Sequence, residues 1–387
     1  MVLYLMIISF IVLMILGFIF RISVALNGLH GSDILFHLSG AFTVLGGGLL
    51  YRDVHYVYPP LYAYLQAGVI ALFGRNVLVY KFWPIVSDFL VALVLYFFFK
   101  VRGEERVGLF ALVVYLFNPL TLLSSSWYGL FDSLVAFLFL YGLYLYLRGR
   151  AYGSAFALGV GVVVKVASVF VGPLMALHIY LRRGLRETVL WALMFSLPIF
   201  LVEAPYLLIV GMEALKQQLE FHIVRGGEGF SVAALFSGLH IPSNIITLVF
   251  WIAKLLIYGI VFYLMVKKPL SENIIIKGCF TIMLALITFN TFLYPHYLIY
   301  VLPLFLLNYS KTLYEAIASF IKERLLFKAE AIIPIFFIVT ISLVCPAYWK
   351  FYRDSLAVTL IALMYNMASI SLLVSSMKEL FGNMERT

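Results

Sequence analysis

Residues 31–60, GSDILFHLSGAFTVLGGGLLYRDVHYVYPP, follow the first long apolar segment of the chain. Asp33, His37, Arg52 and Asp53 occur together in this stretch, whereas only 12% of the 387 residues are charged. The stretch also contains three consecutive glycines and ends in a Tyr-Pro-Pro sequence. Because ionisable residues beside a membrane are costly and therefore usually functional, this polar segment between apolar helices is the first candidate for a site.

The composition is that of an integral membrane protein. Hydrophobic residues make up 64% of the chain and aromatic residues 17%, whereas a soluble domain has about 45–50% apolar residues. The formal net charge is +9, but the basic residues occur in short clusters at the ends of apolar runs. Such clusters are typical of topology signals and contacts with anionic lipid, so no nucleic-acid partner is predicted. The two cysteines, Cys279 and Cys345, lie in apolar runs, which favours buried thiols over a disulfide or a metal site.

The predicted fold is an all-α polytopic membrane protein with about 12 transmembrane helices (range about 10–13). The whole chain, 1–387, is interpreted as one domain without an internal repeat, and 310–387 as its variable C-terminal helices. The apolar segment 61–73 is too short to span comfortably. The predicted spans are 3–26, 78–99, 107–123, 131–147, 152–164, 166–180, 188–210, 245–266, 274–293, 297–309, 331–346 and 355–376.

The positions of Lys and Arg predict the sidedness of the chain. If 61–73 does not cross the membrane, the basic clusters fall on one side, at 100–106, 148–150, 182–186, 267–277 and 311–328. Basic loops stay in the cytoplasm, so both termini are predicted to be cytoplasmic, in the plasma membrane of the cell. Segment 27–77 is then a long extracytoplasmic loop that carries short membrane-surface helices, and 211–231 is a second extracytoplasmic loop.

Seven ionisable residues fall on the outer side by this assignment, which did not use them: Asp33, Asp132, Lys165, His222, Arg225, Glu228 and His296. They are functional candidates, although a single such side chain can also reach water at the interface without any further role. Lys165 is a lone cation in VVVKVASV, at the predicted turn of a helical hairpin over 151–180. Asp88 lies inside a span beside Ser87 and is interpreted as a structural hydrogen-bond acceptor.

The outer side therefore offers carboxylates, cations and aromatic side chains together. Cations at a dry boundary suit a phosphate, and a carboxylate suits removal of a proton from a hydroxyl group. Tyrosines suit a sugar or an isoprenoid tail. The combination indicates a lipid-phosphate substrate, but it does not by itself separate catalysis from transport.

The first loop has a counterpart in a known class of enzymes. Residues 32–65, SDILFHLSGAFTVLGGGLLYRDVHYVYPPLYAYL, resemble the first luminal loop of the integral-membrane glycosyltransferases of the GT-C class. The likeness is greatest to the catalytic subunit of glycosylphosphatidylinositol mannosyltransferase I and to related prokaryotic polyprenyl-phosphate-mannose-dependent mannosyltransferases. There an acidic residue precedes a glycine, a tyrosine and a Tyr-x-Tyr-x-Pro stretch, here Asp33, Gly48, Tyr51 and 56–60.

The resemblance continues in order and covers most of residues 20–305. The segments that carry it are VSDFLVALVLYFFFK, FNPLTLLSSSWYGLFDSLVA, VVVKVASVFVGPL, FHIVRGGEGFS and FNTFLYPHYLIYVLPL. One departure is in the first loop, where the eukaryotic enzyme has Asp-x-Asp and this chain has Gly31-Ser32-Asp33. The missing carboxylate weakens the case for a metal and for the same acceptor.

The resemblance implies an inverting glycosyltransferase that moves a sugar, expected to be mannose, from a polyprenyl (dolichyl) phosphate. The expected acceptor is a glycolipid or a lipid-linked glycan on the extracytoplasmic face. Asp33 is the implied general base; the donor phosphate is assigned to Lys165, Arg225 and His296, and substrate contacts to His37, Tyr58, Asp132, His222 and Tyr297. No cofactor is predicted, a divalent metal is left open but not expected, and a small accessory membrane subunit is left open.

Two other functions remain open at the level of the sequence. A transporter or flippase of a lipid-linked saccharide would also need cations and aromatic groups, but transporters commonly show internal repeats, which this chain lacks. A non-catalytic subunit of a transferase would fit the missing carboxylate.

The sidedness can be tested by thiol labelling. Cysteines introduced at Asp53 and Gly227 are expected to react with an impermeant thiol reagent from the outside, because both positions fall on the extracytoplasmic side. A cysteine at Gly149 is expected to stay unlabelled. Labelling of position 149 from the outside would overturn the assignment.

Overall fold

A computed structural model describes residues 2–223, 228–237, 242–268, 271–323, 329–351 and 355–382. The first nine helices are α1 Val2–Ala25, α2 Ser32–Leu45, α3 Leu61–Phe73, α4 Val77–Tyr80, α5 Phe82–Lys100, α6 Glu105–Leu116, α7 Pro119–Leu122, α8 Asp132–Leu147 and α9 Ala151–Val164. The others are α10 Gly172–Arg183, α11 Leu185–Ile209, α12 Met212–Ile223, α13 Val232–Ser237, α14 Ser243–Lys267, α15 Glu272–Thr288, α16 Leu302–Glu323, α17 Ala329–Phe351 and α18 Ser355–Gly382.

Three short segments have other helical geometries, and two form a minimal sheet. A π-helical turn occupies Leu123–Trp127, and 3-10 helices occupy Val166–Val171 and Pro295–Tyr300. The strands β1 Glu228–Gly229 and β2 Phe292–Leu293 pair in parallel.

The helical, multi-pass architecture predicted from the sequence is confirmed. Within the described residues, the helices long and apolar enough to cross a membrane are Tyr4–Ala25, Phe82–Lys100, Leu185–Ile209, Asn244–Lys267, Glu330–Tyr348 and Leu356–Gly382. Helix α6 and the segment Pro119–Trp127 are bent by 48° and together make a seventh candidate. The predicted count of about 12 spans is not confirmed, because other predicted spans form shorter helices, such as the 16-residue α8 and the 14-residue α9.

Four basic residues, Arg102, Lys268, Lys277 and Lys311, lie together at one end of the helical bundle, which we call the basic end. Lys311 Nζ lies 2.5 Å from a Glu104 oxygen, and Arg102 and Lys277 pair with Glu272 and Glu379. The other end, which we call the site end, holds the start of α5, where Ser133 Oγ donates to the Pro84 carbonyl (3.0 Å). The 19 residues of α5 separate the two ends by about 28 Å. Which end faces the cytoplasm stays a prediction.

A break between α6 and α7 shapes the site end. Pro119 has no N–H group and disfavours a helical conformation at the preceding residue, so Asn118 is extended (φ −69°, ψ 128°) and caps α7 by accepting from the Leu120 amide. The Leu116 carbonyl at the end of α6 accepts a hydrogen bond from Arg21 Nη2 (3.0 Å).

Arg21 also forms a fully buried ion pair with Asp88 (3.2 Å). Asp88 accepts further hydrogen bonds from the hydroxyls of Tyr115 (3.1 Å) and Ser125. The structural interpretation of Asp88 is thereby confirmed, since the carboxylate ties α1, α5 and α6 to the π-helical turn.

Lys81 is a second buried cation at the site end. Its Nζ donates to the carbonyls of Ala25 (3.1 Å), Gly28 (2.6 Å) and Ser126 (2.8 Å). These bonds fasten the end of α1 and the π-helical turn to the start of α5.

Helix α3 lies across the site end. The Tyr64 and Tyr206 hydroxyls are 2.7 Å apart, which joins α3 to the end of α11. Trp83 Nε1 donates to the Leu65 carbonyl (2.9 Å), which joins α3 to the start of α5. The helix therefore links the end of α11 to the start of α5.

Candidate functional site

The centre of the site is an ion pair that joins the beginning of α8 to the end of α9. Asp132 is the first residue of α8, and Lys165 directly follows α9 in an extended conformation (φ −162°, ψ 136°). Lys165 Nζ lies 2.7 Å from Asp132 Oδ1, and the two side chains are only 8% and 3% exposed. A carboxylate at a helix N-terminus is favoured by the helix dipole. The lone cation of the sequence therefore has an anionic partner in space.

Aromatic side chains enclose this pair. Lys165 Nζ lies 4.8–5.7 Å from the ring centroids of Tyr58, Phe131, Tyr297 and Tyr300. At such distances the rings attract the ammonium group through cation–π interactions. The Tyr300 hydroxyl also donates a hydrogen bond to Asp132. The ion pair is thus held in a cage that excludes bulk water.

His37 forms another wall of the cage. Its ring lies 4.6 Å from Phe131, 5.1 Å from Tyr58 and 5.6 Å from Tyr62, measured between ring centroids. Burial lowers the pKa of His37 to about 3, with a further contribution from the Lys165 charge. The imidazole is therefore neutral near pH 7. Its Nδ1 is buried and has no hydrogen-bond partner within the part of the chain described, so it is available to a ligand.

His296 reaches the same centre from the 3-10 helix Pro295–Tyr300. It is 7% exposed and packs edge-on against Tyr297, with the ring centroids 4.4 Å apart. Its charge acts on both His37 and Asp132. A positive charge on His296 would therefore interact electrostatically with both His37 and Asp132.

Asp33 lies at the rim of the site. It is exposed, in the first turn of α2, and precedes His37 by one helical turn, so both residues share a face of the helix. Burial raises the pKa of Tyr58, and the charges of Tyr297, Asp132 and Asp33 add to this effect. Asp33 is thus near enough to the cage to act on it electrostatically, while it remains accessible from outside.

Tyr51 holds the loop that carries Tyr58. Its hydroxyl donates to the Tyr58 carbonyl (2.6 Å) and accepts from Gln218 Nε2 of α12 (3.0 Å). The backbone of Tyr51 has φ +67°, the left-handed region that non-glycine residues rarely adopt. Its carbonyl accepts from Gln217 Nε2 (2.9 Å), which also belongs to α12. Helix α12 therefore fixes both the side chain and the strained backbone of this residue.

The structure gathers seven of the predicted site residues at the site end: Asp33, His37, Tyr58, Asp132, Lys165, His296 and Tyr297. Arg225 lies outside the described residues, and only the backbone of His222 is described, in α12. The roles assigned to all nine residues stay predictions. Within the described part, no three His, Cys, Asp or Glu side chains form a group that could hold a metal ion.

Sequence reasoning missed several residues of the cage, chiefly Phe131, Tyr62 and Tyr300. Tyr300 had a usable signal, because it follows Tyr297 by three residues and a 3-10 helix aligns such side chains. Phe131 directly precedes Asp132, but its contact with Tyr62, at 4.1 Å between ring centroids, joins segments far apart in the chain.

The Asp132–Lys165 pair yields a prediction about stability. Lys165→Met leaves Asp132 buried without its cation, so the free energy of unfolding is expected to fall by about 3–5 kcal/mol. Adding Asp132→Asn removes the uncompensated charge and keeps an acceptor for Tyr300, so most of this loss should be recovered. Thermal unfolding in detergent, read by intrinsic fluorescence, measures both effects. A double variant no more stable than Lys165→Met would refute the coupling.

The fold is similar to that of two crystal structures of ArnT from Cupriavidus metallidurans. The structure bound to undecaprenyl phosphate has a TM-score of 0.56 at 14% sequence identity, covering 96% of this chain and 77% of that chain. The apo structure has a TM-score of 0.56 at 13% identity, covering 96% and 76%. No family model and no curated protein matches the chain.

At this low identity the similarity shows the fold alone. It supports the helical fold implied by the resemblance of the first loop, whereas the specific resemblance to glycosylphosphatidylinositol mannosyltransferase I is not confirmed. The chain therefore has a helical fold similar to that of the ArnT structures.

Proposed function

We propose that the protein is a glycosyltransferase that moves a sugar from a polyprenyl phosphate to a hydroxyl group of a lipid-linked acceptor. One observation carries the proposal: an accessible carboxylate, Asp33, lies at the rim of an aromatic cage that holds a buried cation and a neutral histidine. The shared fold supports it, because the ArnT structure was determined bound to undecaprenyl phosphate.

The proposed reaction is a single displacement. The acceptor oxygen attacks the anomeric carbon while the bond from that carbon to the phosphate oxygen breaks, which inverts the configuration. Asp33 takes the proton of the attacking hydroxyl, and the bonding electrons leave with the polyprenyl phosphate. Asp33 suits the role of base because it is exposed, whereas Asp132 is buried and already paired with Lys165.

Lys165 is the proposed partner of the donor phosphate. An ammonium group has three N–H donors, and within the described residues Lys165 donates only to Asp132. The remaining donors can serve phosphate oxygens whose negative charge grows in the transition state. His296 and Arg225 are also proposed to bind the donor phosphate. The residues proposed to contact the sugar or the acceptor are His37, Tyr58, Asp132, Tyr297 and His222.

The finer features of the proposal come from the resemblance of the first loop. They are mannose as the sugar, a glycolipid or lipid-linked glycan as the acceptor, and a plasma-membrane enzyme with an extracytoplasmic site. Transport is the less favoured function, since transporter sites lie near the midplane and the Asp132–Lys165 pair lies at one end of the bundle.

Asp33→Asn tests the proposed base. The amide keeps the shape of the side chain but cannot take the proton, so turnover should fall about a hundredfold or more, while donor affinity changes far less. Transfer of radiolabel from polyprenyl-phosphate-mannose to a membrane lipid or glycan measures turnover. Near-normal turnover of the Asn variant in a chemistry-limited assay would rule out Asp33 as base.

Glu220→Gln provides the control for this assay. Glu220 is an exposed carboxylate on α12, so the same change of charge should leave turnover within about twofold. If wild-type protein transfers no sugar from polyprenyl-phosphate-mannose or from its glucose analogue, the proposed function itself is wrong.

The proposed phosphate role of Lys165 is tested in the background of Asp132→Asn, because Lys165→Met alone would leave the Asp132 carboxylate buried without its cation. Asp132→Asn keeps the cation and frees it from its partner, so the affinity for polyprenyl phosphate should stay equal or rise. The double variant Asp132→Asn, Lys165→Met lacks the cation, and its affinity should be lower by about tenfold or more. Tryptophan-fluorescence titration with polyprenyl phosphate measures both. Equal affinities would make the pair structural only.

A further inference from the structure

A cavity of about 540 Å³ opens at the basic end, at the opposite end of the bundle from the Asp132–Lys165 pair. Its walls come from α5, the α5–α6 connection, α15, α16 and α18, together with Lys268, which directly follows α14. The charged side chains that line it are Arg102, Glu104, Lys268, Lys277, Lys311 and Glu379. Four cations therefore face two carboxylates, and the cavity has an excess of positive charge.

Three of the four cations have carboxylate partners. Lys311 pairs with Glu104 at 2.5 Å, Lys277 pairs with Glu379, and Arg102 pairs with Glu272. These pairs fix the walls of the cavity and bring their ammonium and guanidinium groups together.

Lys268 is different from the other three. It is only 9% exposed, and its Nζ has no hydrogen-bond partner within the described residues. A buried ammonium group without an anion is costly. Burial, and then the neighbouring charge of Lys277, lower the pKa of Lys268. An anion in the cavity would relieve this cost.

The first turn of α15 provides a second set of donors. This helix has 17 residues; its N-cap Ser271 and its first-turn residues Asn273 and Ile274 line the cavity. Ser271 Oγ accepts from the Ile274 amide (3.3 Å), which leaves the other N-terminal amides without that cap. Backbone amides and the helix dipole at an N-terminus attract anions.

We propose that this cavity binds a phosphate-bearing anion, held by Lys268 and the N-terminus of α15. The chemistry suits the headgroup of an anionic phospholipid and equally a soluble phosphate ester. The cavity lies where α5 and α18, both candidate membrane spans, come to an end, so it is at the depth of lipid headgroups. The inference does not depend on the function proposed for the site end.

The test compares Lys268→Met with Lys267→Met in the full-length protein. The two lysines are adjacent, and Lys267 is exposed, so the control makes the same change of charge outside the cavity. Native mass spectrometry from mixed micelles counts retained phosphatidylglycerol against phosphatidylcholine. We expect wild type and Lys267→Met to retain phosphatidylglycerol selectively, and Lys268→Met to lose this selectivity by about tenfold or more. Lys268→Arg, which keeps the charge, should retain it.

Calorimetric titration with sn-glycerol 3-phosphate, in nanodiscs of phosphatidylcholine, separates the two sources of phosphate. Binding of this soluble ester that is lost in Lys268→Met assigns the cavity to free phosphate esters, and retention of phosphatidylglycerol alone assigns it to a headgroup. The proposal is overturned if wild type retains neither probe selectively. It is equally overturned if Lys267→Met and Lys268→Met bind both probes alike.

Discussion

Backbone carbonyl groups that leave a helix inside a membrane must find donors within the protein, and this constraint governs the site end. The break at Pro119 leaves the Leu116 carbonyl without a helical partner, and Arg21 donates a hydrogen bond to it. Lys81 donates hydrogen bonds to three further carbonyls, including that of Ser126 in the π-helical turn. Two buried cations thereby fix an irregular segment that a hydrophobic core alone would not hold. Phe131 and Asp132 follow this segment directly, so their positions depend on it.

The two buried lysines of the site end, Lys81 and Lys165, differ in how many of their N–H donors are used within the protein. Lys81 uses its ammonium group on three carbonyls, which matches its three N–H donors. Lys165 has one carboxylate and a set of aromatic faces, within the described residues. Aromatic faces stabilise a cation without occupying its donors. Lys165 therefore keeps capacity for a ligand that Lys81 lacks.

Much of the architecture could be predicted from the sequence because the signals are local. The apolar composition indicates the membrane class, the helix over 61–73 has the predicted bounds, and Lys165 lies at the predicted turn. Several residues that lie together at the site end were selected as candidates from the sequence because ionisable groups near a membrane boundary are rare. The number of spans was not predictable, since short helices such as α8 and α9 and the broken α6–α7 segment give the same apolar signal as full spans.

The pairings within the site could not be predicted, because they depend on the register of packed helices. Asp132 and Lys165 are 33 residues apart, and Asp132 and Tyr300 are 168 apart. No pattern in the chain indicates which cation meets which carboxylate. The contacts of Gln217 and Gln218 with the first loop could not be predicted from the sequence either, because two glutamines on an amphipathic helix are typical of a solvent-exposed face.

The left-handed backbone of Tyr51 has a consequence for how the first loop meets a ligand. An L-residue in this region is disfavoured in an isolated chain, so the bonds from α12 hold a conformation that the loop would not keep alone. The loop is therefore ordered when the protein folds, and little conformational entropy remains to be lost when a substrate arrives. Rigidity of this kind therefore favours affinity for a ligand of one shape over tolerance of many.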